Sequence, residues 1–316
     1  MSADGDAWAV VVVNYGSSGL LEANLAEVAA DTRPDIVVVV DNPTTDAERA
    51  RVRALAAREH WILIEPDANA GFGGGVNLGV AAALEAGATG ILLLNPDARL
   101  GADAVDALRA ATLDEPLALC APRIVTPSGS VWFAGADVVL ADGRTRGHAK
   151  RARHPGEETW EWLTGACLWF TAELWHATGG FDEEYFLYWE DVDFSRRAVL
   201  AGGSLRVVGD ALAVHDEGAT HRGRGQSARS KSETYYYFNI RNRMLFANRH
   251  LDDEGVRRWR AGIAASAREV ILRGGRAQLL TSPVPWRAYL RGTRDARRIA
   301  DASRSAQTGV GTAASR

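Results

Sequence analysis

Cysteine is nearly absent from this chain of 316 residues, which contains only Cys120 and Cys167. Neither cysteine belongs to a CxxC or Cys/His cluster, so the sequence predicts no disulfide framework and no zinc site. Such sparse cysteine fits a reducing compartment, and we therefore expect a cytoplasmic protein. The N-terminus also lacks the basic segment and long apolar stretch of a secretory signal peptide.

Long hydrophobic runs and an overall excess of basic charge are missing as well. No apolar run approaches the roughly 20 residues needed to cross a bilayer. The formal net charge of −4 gives no reason to expect a nucleic-acid partner. The charge is unevenly distributed, however, because residues 251–316 hold 13 Arg against 6 acidic residues. The sequence therefore combines an acidic first part with a basic C-terminal part.

Strand-like and helix-like segments alternate through the first half of the chain. Apolar, β-branched runs predict strands at Trp8–Val13, Ile36–Val40, Trp61–Ile64 and Ile91–Leu94. Strands that alternate with helices predict an α/β fold with a mostly parallel sheet flanked by helices. After about residue 230 the pattern is helical. We expect a domain over residues 1–250 and a basic helical extension over 251–316, with the last dozen residues disordered.

The most informative local sequence is Asn95-Pro96-Asp97. It follows a buried apolar strand, and the proline can continue neither a helix nor a central strand. Asn95 and Asp97 are therefore expected at the carboxyl end of a strand, where open α/β sheets bind ligands. A carboxylate beside a carboxamide could there hold a divalent cation against a diphosphate. An Asx-turn between a strand and the next helix is the alternative.

Two further segments are typical of nucleotide binding. Asp41 ends a predicted strand, and a carboxylate in that position can accept hydrogen bonds from a base or ribose. It could equally be a turn residue before the next helix. Residues 69–77 (NAGFGGGVN) predict a glycine-rich loop before a helix, whose free amides would favour an anion such as a diphosphate. A structural turn is the alternative for this segment.

Three carboxylates occur within four positions, at Glu190, Asp191 and Asp193. The spacing of Asp193 and Arg197 predicts an ion pair on one helix face. Asp191 would point to a different side and could act as a general base. The helix dipole would keep Asp191 ionised, although it would also make it a weaker base.

Two histidines are candidate metal ligands. His215 follows a short strand-like segment, so it would reach the same sheet edge as the proposed metal. His221 is a second candidate. A lone histidine is more often a structural residue than a ligand, and that alternative holds for both.

These segments together resemble the GT-A-fold, family 2 inverting glycosyltransferases, and among them the bacterial rhamnosyltransferases, including those that act on polyprenyl-diphosphate-linked sugars. The resemblance covers about residues 8–250, and the order and spacing of the segments agree with the family. The matching segments are Val13-Asn14-Tyr15, Val40-Asp41-Asn42, Asn69-Ala70-Gly71-Phe72-Gly73 with Asn77, Asn95-Pro96-Asp97, Thr164-Gly165-Ala166-Cys167, Gly179-Gly180-Phe181-Asp182-Glu183 with Tyr185-Phe186, Glu190-Asp191-Val192-Asp193, and His215 with Gly218.

Two positions depart from the family pattern. The first acid of the family's DxD motif is Asn95 here, as is familiar in the rhamnosyl branch. The glycine that usually follows Asp41-Asn42 is Pro43, so the geometry of that turn is open.

The resemblance implies a Rossmann-like, nucleotide-sugar-binding GT-A domain and a role for each matching residue. Asp191 is expected to be the catalytic base, and Asp97 and His215 the ligands of Mg²⁺ or Mn²⁺. The residues expected on the acceptor side are Gly165, Trp189 and Glu190. The residues expected to contact the donor are Asn14, Tyr15, Asp41, Asn69, Gly71, Gly73, Asn77, Asn95 and Asp97.

The resemblance also implies the substrates. The expected donor is dTDP-L-rhamnose, with another dTDP-sugar or a UDP- or GDP-sugar as the alternative. The expected acceptor is a hydroxyl of a glycan or a polyprenyl-linked sugar in cell-envelope polysaccharide or glycoconjugate synthesis.

Other function classes fit the sequence less well. A nucleotidyltransferase would need a basic glycine-rich signature after the first strand, but residues 14–18 contain no Lys or Arg. A nicotinamide-dependent dehydrogenase would need its glycine fingerprint at the same place. A non-catalytic nucleotide-sugar-binding protein is opposed by the joint presence of Asp97, Asp191 and His215.

The basic extension suggests a membrane partner. Its aromatic residues Trp259, Trp286 and Tyr289 stand among arginines and could rest on anionic lipid at the inner face of the cell membrane. A solvated helix face or a homo-oligomer contact is the alternative.

Overall fold

The computed structural model describes residues 7–216 and 230–311, with side chains as far as residue 302. The predicted candidates Gly218 and His221 lie outside the described residues. The same holds for residues 312–316, the end of the segment for which we expected disorder. The part of that segment which is described continues the last helix to Gly311.

Twelve strands occur in the described part of the chain, and they form two sheets. They are β1 (Trp8–Asn14), β2 (Ile36–Asp41), β3 (Ile62–Ile64), β4 (Gly90–Leu94), β5 (Ala98–Leu100), β6 (Leu119–Val125), β7 (Val131–Phe133), β8 (Ala136–Val139), β9 (Thr145–Gly147), β10 (Thr159–Trp162), β11 (Cys167–Thr171) and β12 (Leu205–His215). The larger sheet has the order β3-β2-β1-β4-β11-β6-β12-β5, with β7 paired to β6. Strands β1 to β4 are parallel, whereas β11 runs antiparallel to both of its neighbours.

Helices cover this sheet and make up the C-terminal part. They are α1 (Ser18–Leu20), α2 (Ala26–Thr32), α3 (Asp46–Glu59), α4 (Gly71–Glu85), α5 (Ala102–Ala110), α6 (Ala172–Thr178), α7 (Glu190–Leu200), α8 (Glu233–His250), α9 (Asp253–Ala261), α10 (Ile263–Leu272), α11 (Arg276–Thr281) and α12 (Val284–Gly311). A π-helical turn joins α1 to α2, and Thr45 caps α3 by accepting a hydrogen bond from the Glu48 amide. The predicted mostly parallel α/β sheet flanked by helices is therefore confirmed.

The core lies on both faces of β1 and β4. All residues of these two strands are buried, as expected for central strands of a sheet covered by helices. The segment before His215 is part of one long strand, β12, which has an irregularity in its pairing to β6. Residues 163–166 form a loop, and strand β11 begins directly after it at Cys167.

The glycine-rich segment is not a loop, and that prediction is wrong. Helix α4 begins at Gly71, so the glycines form its first turns. A Cβ atom at Gly75 would lie 2.8 Å from Val13 Cγ1, and one at Gly79 would lie 2.5 Å from Val11 Cγ1. The absence of side chains therefore lets α4 lie directly on β1, where a larger residue would clash.

The C-terminal helices pack on the rest of the molecule. Trp259 of α9 is fully buried, and its indole N–H donates to the Leu140 carbonyl at 2.8 Å. Arg243 of α8 lies over the Trp259 ring and donates to the Asp142 carbonyl. Helix α8 in turn packs along α12. The helical part of the structure thus begins at Glu233, and the division of the chain at residue 250 stays a prediction.

We expect Gly79→Ala to lower the free energy of unfolding by about 1–3 kcal/mol, since the new methyl group would press α4 away from Val11. Gly19→Ala is the matched control, because a Cβ at Gly19 meets nothing within 4 Å. The control should be neutral or stabilising by up to about 1 kcal/mol, as alanine favours a helix over glycine. Urea unfolding followed by circular dichroism measures both. Equal effects of the two changes would contradict close packing of α4 on β1.

Candidate active site

The predicted site residues meet at one edge of the large sheet. Asn14 and Asp41 are opposite each other at the carboxyl ends of the parallel strands β1 and β2. Asn95 follows the last residue of β4, and His215 ends β12. Because these strands run in the same direction, their carboxyl ends lie at a common edge, where open α/β sheets bind their ligands.

Asp97 and His215 lie in direct contact. Strand β5 pairs with β12 so that Ala98 stands opposite His215, and this pairing brings Asp97 beside the imidazole. His215 Nε2 is 3.0 Å from Asp97 Oδ1, and both side chains are buried. The Asp216 amide donates to the Asp97 carbonyl at 3.0 Å, which fixes the backbone next to the pair.

This pair fits a divalent cation. Two ligand atoms at neighbouring corners of an octahedral Mg²⁺ or Mn²⁺ site are roughly 3 Å apart, as these two atoms are. Neither ring nitrogen of His215 makes a well-aligned hydrogen bond to any described residue. A buried imidazole without such a bond is costly, and a metal ligand role would satisfy it.

Asp191 stands in the first turn of α7. Its Oδ2 accepts a hydrogen bond from the Gly165 amide at 3.0 Å, and its Oδ1 accepts one from the Val192 amide at 2.9 Å. Burial raises the pKa of Asp191 to about 6, against the opposing effect of these amides. We expected the helix dipole to favour the charged form and weaken the base. That expectation is wrong, because burial outweighs it and makes Asp191 a stronger base than an exposed aspartate.

Backbone contacts connect Asp191 with the Asp97 region. Gly165, which binds the Asp191 carboxylate, is followed by Ala166, whose carbonyl accepts a hydrogen bond from the Asn95 amide at 2.9 Å. Asp97 is two residues further along. The candidate base and the candidate metal pair are therefore held on neighbouring segments of the same edge.

A second set of contacts joins Asp191 to helix α4. A Cβ atom at Gly165 would lie 3.0 Å from Phe72 Cε1 and 3.6 Å from Asp191 Cβ. The start of α4 is in turn held by Asn42, whose side chain accepts from the Ala70 amide and donates to the Gly71 carbonyl.

Asp41 lies at the other end of these contacts. The Asn14 side-chain amide donates to Asp41 Oδ1 at 2.7 Å, and both residues are buried. Burial raises the pKa of Asp41, and the hydrogen bond from Asn14 opposes that effect. Tyr15, the next residue along the chain, is half exposed at the same edge. The structure thus brings Asp41, Asp97, Asp191 and His215 to one edge, linked by short contacts.

The anion site predicted at the start of α4 is not supported. The amide of Ala70 donates to Asn42, that of Gly71 donates to Asn69 Oδ1, and that of Phe72 donates to the Phe186 carbonyl. These three donors are already used within the chain, so the prediction that they are free for a diphosphate is wrong. Gly71 has φ +74°, and a Cβ there would clash with Phe186. Gly71 thus serves the turn and the packing.

Several other predicted contacts have structural partners. The Asn77 side-chain amide donates to the Phe181 carbonyl, and its oxygen accepts from the Phe181 backbone amide, both at 2.9 Å. Gly73 packs against Phe181, because a Cβ there would lie 3.2 Å from Phe181 Cβ. The Trp189 ring is buried against Phe246 and Trp259, which is at odds with the expected acceptor contact.

Glu190 is buried beside Asp191 and differs from it in its hydrogen bonding. Glu190 Oε2 has no hydrogen-bond partner among the described residues. Burial, followed by repulsion from Asp191, raises the pKa of Glu190 well above its usual value. Burial therefore favours the neutral form of Glu190, and the expected acceptor contact of this residue stays a prediction.

Asp193 makes the predicted helix-face ion pair and also contacts that the sequence did not suggest. Arg197 Nε lies 2.7 Å from Asp193 Oδ2, which confirms the expected pair. His250, at the end of α8, lies 2.7 Å from Asp193 Oδ1. Burial favours the neutral acid, but His250 and Arg197 outweigh it and lower the pKa of Asp193. This buried contact fixes α7, and with it Asp191, against α8.

Asn242 supports the segment that leads into α7. Three non-glycine residues there, Phe186, Tyr188 and Trp189, have φ between 61° and 76°, which costs conformational energy. The side-chain amide of the buried Asn242 lies within 2.7–2.9 Å of the carbonyls of Tyr185, Leu187 and Tyr188. Sequence reasoning missed this residue because its partners lie more than 50 positions away.

Trp132 is another residue that the sequence did not single out. Its ring lies 4.4 Å from that of His215, centroid to centroid, and the two ring planes are tilted by 52°. Trp132 lies on β7, in the irregular middle of the chain, where no periodic pattern placed it near His215.

A second group of metal-ligand types occurs in the smaller sheet. Asp137, His148 and Glu161 bring ligand atoms within 4.8 Å of one another. Arg151, however, donates to both oxygens of Asp137 at 2.6 and 2.9 Å and to Glu161 at 2.5 Å. Its guanidinium supplies the positive charge there, so this group is satisfied without a metal, in contrast to His215.

The chain resembles a protein of assigned activity in sequence. It is 32% identical over 235 residues to the N-acetylglucosaminyl-diphospho-decaprenol L-rhamnosyltransferase of Mycobacterium tuberculosis, across 66% of this chain and 76% of that protein. No protein-family model matches the chain. Over residues 7–216 and 230–311, no helix combines the length and the apolar character that crossing a membrane requires.

Solved glycosyltransferases share the fold. GalNAc-T7 in complex with UDP, GalNAc and Mn²⁺ aligns with a TM-score of 0.54 and 12% identity, over 89% of this chain and 58% of that one. The mannosyltransferase PcManGT from Pyrobaculum calidifontis, in complex with GDP-Man and Mn²⁺, aligns with a TM-score of 0.51 and 16% identity, over 94% and 86%. With the sequence relative, these likenesses establish that the chain belongs to the GT-A-fold, family 2 glycosyltransferases.

Proposed function

We propose that this glycosyltransferase moves L-rhamnose from dTDP-L-rhamnose to a hydroxyl of a glycan or polyprenyl-linked acceptor, with inversion at the anomeric carbon and with Mg²⁺ or Mn²⁺ as cofactor. The activity of the mycobacterial relative, an N-acetylglucosaminyl-diphospho-decaprenol L-rhamnosyltransferase, supports the sugar and a lipid-diphosphate-linked acceptor. Transfer of another nucleotide-sugar is the second candidate, because the PcManGT structure, which shares the fold, holds GDP-Man.

One observation carries the proposal. Asp97 and His215, the candidate metal ligands, lie at the same sheet edge as Asp191, the candidate base. The backbone hydrogen bond from the Asn95 amide to the Ala166 carbonyl connects the two segments. A group transfer from a nucleotide-sugar needs two functions near each other, a positive charge for the leaving diphosphate and a base for the attacking hydroxyl. At this edge Asp97 and His215 would hold the positive charge as metal ligands, and Asp191 would be the base.

Asp191 would accept the proton of the acceptor hydroxyl. The hydroxyl oxygen forms its bond to the anomeric carbon from the face opposite the diphosphate, while the bond from that carbon to the diphosphate oxygen breaks. The electron pair of the broken bond leaves with the diphosphate, and the single displacement inverts the anomeric centre. The Gly165 and Val192 amides hold the carboxylate in a fixed orientation for this proton transfer.

Asp97 and His215 would hold the divalent cation, which supplies charge neutralisation for the departing diphosphate when it is bound. Asn95 and Asp41 remain proposed donor contacts, together with the exposed Tyr15. A lipid-linked acceptor would lie at a membrane, so a contact of the basic C-terminal helices with that membrane is part of the proposal.

A screen of nucleotide-sugars by thermal shift tests the donor. We expect dTDP-L-rhamnose with Mg²⁺ or Mn²⁺ to raise Tm more than UDP- or GDP-sugars, since only a ligand that binds the folded state stabilises it. EDTA should remove most of the shift, as should Asp97→Ala and His215→Ala. Glu161→Gln in the second acidic group is the matched control and should keep the shift. If only Glu161→Gln lost the shift, we would conclude that the metal binds the group of Asp137, His148 and Glu161 instead.

Asp191→Asn should lower turnover by about 10²–10⁴-fold, which is the usual contribution of a general base. The variant should keep the donor-induced rise in Tm, because the amide retains the size of the carboxylate. Transfer of radiolabelled sugar to the acceptor measures turnover. Turnover like that of the unmodified protein would remove Asp191 from the role of base.

The pH dependence of kcat/KM should report the raised pKa of Asp191. Only the ionised carboxylate can accept a proton, so kcat/KM should rise about tenfold per pH unit below pH 6 and level off above it. The residual activity of Asp191→Asn should lack this rise, and circular dichroism at the lowest pH controls for unfolding. An unmodified enzyme with a flat profile between pH 5 and pH 7 would contradict a base with this pKa.

A further inference from the structure

An exposed apolar surface lies on the outer side of the C-terminal helices. We define the outer face by four exposed side chains, Leu272, Leu280, Trp286 and Leu290. Leu280 is 88% exposed and Leu290 is 67% exposed, which is unusual for leucines in a folded helix.

The members of the outer face are close to each other. Trp286 Nε1 donates to the Leu279 carbonyl at 2.9 Å, which ties α12 to α11 next to Leu280. Trp286 and Leu272 line one cavity of about 410 Å³ between α10, α11 and α12. Leu290 follows Trp286 by one helical turn and thus lies on the same side of α12.

Arginines surround this apolar surface. Residues 263–294 contain six Arg and a single acidic residue, Glu269, in a chain whose net charge is −4. Arg268 lines the cavity, and Arg276 and Arg287 are exposed without an ion pair to any described residue. Arg291, by comparison, pairs with Glu233 at 2.8 Å. At least three cations are therefore available to an external anion.

The opposite side of the same helices is already packed. Val270, Ile271 and Ala288 are buried against Tyr236 and Ile240 of α8. Helices α10 and α12 therefore have an inner apolar side that forms the core, and the outer face adds exposed apolar side chains on α10, α11 and α12. These exposed side chains lie outside the core, and a group of exposed apolar side chains of this kind marks an interaction surface.

The positive charge around the outer face favours an anionic membrane over a second copy of the chain as the partner. A second copy docked by a two-fold axis would bring the same arginines against each other, which is unfavourable. An anionic bilayer offers phosphates for the guanidinium groups and an interfacial zone for Leu and Trp side chains.

We propose that the outer face docks the enzyme on an anionic phospholipid surface, with Leu280, Trp286 and Leu290 entering the interface and Arg268, Arg276 and Arg287 contacting lipid phosphates. The use of this contact rests on the proposed function, since it would bring the site to a lipid-linked acceptor. The contact itself is independent of catalysis and can be measured without donor or acceptor.

Flotation of the full chain with vesicles tests the proposal. The protein should float with phosphatidylcholine vesicles that contain phosphatidylglycerol and much less with phosphatidylcholine alone. Arg276→Glu with Arg287→Glu should weaken the partition at least about tenfold, given about 1 kcal/mol per cation near an anionic surface. Arg51→Glu with Arg53→Glu on α3 carries the same charge change on exposed residues elsewhere and should float normally.

A second pair of double variants tests the contribution of the apolar side chains to membrane binding. Leu280→Asp with Leu290→Asp should abolish flotation. Leu113→Asp with Leu200→Asp changes two leucines elsewhere that are also more than half exposed, and it should retain flotation. Equal flotation of all variants would overturn the proposal. So would an outer-face variant that changes the oligomeric state in light scattering while flotation is unchanged, because the partner would then be a second copy.

The donor-induced rise in Tm separates this proposal from the proposed function. Variants of the outer face should keep that rise while they lose flotation. If the unmodified protein floats but no nucleotide-sugar shifts its Tm, the membrane contact stands and the proposed function fails.

Discussion

The close approach of α4 to β1 is the constraint on which the site depends. Gly75 and Gly79 leave no side chain between helix and strand, so the start of α4 reaches the carboxyl edge of the sheet. There Asn42 holds its first residues, and Phe72 touches Gly165, the residue that orients Asp191. One tight contact thus joins the expected donor side of the edge to the side that carries Asp191, the proposed base. A larger residue in the helix would separate the two halves.

Four carboxyl groups near this edge have different partners. Asp97 faces an imidazole, Asp193 is paired with His250 and Arg197, and Glu190 has an oxygen without any described partner. Asp191 has only backbone amides, which orient the carboxylate but do not fully offset burial. Asp191 therefore combines a pKa raised to about 6 with partial exposure, and both suit proton abstraction from a hydroxyl.

Local patterns predicted the strands and the polar residues at their ends. The location of Asp97 and His215 at one edge could be predicted because a strand end fixes where a following residue lies. The role of the glycines could not, because a glycine run suits both a phosphate loop and a close helix contact. The raised pKa of Asp191 was missed because burial depends on the whole fold. His250 and Asn242 act across more than 50 residues, and no local spacing reveals such partners.

Helix α8 connects the two sides of the molecule. Its Asn242 and His250 hold the strained segment before Asp191 and the first turns of α7. Its other side carries α10 and α12, whose outer face offers arginines and leucines. The helices that carry the outer face thus pack on the same helix, α8, whose side chains position the segment around Asp191, the proposed base. We infer that the C-terminal helices stabilise the candidate site as well as any surface contact. Without them, α8 would lose its packing partners, and Asn242 and His250 would no longer be held in place.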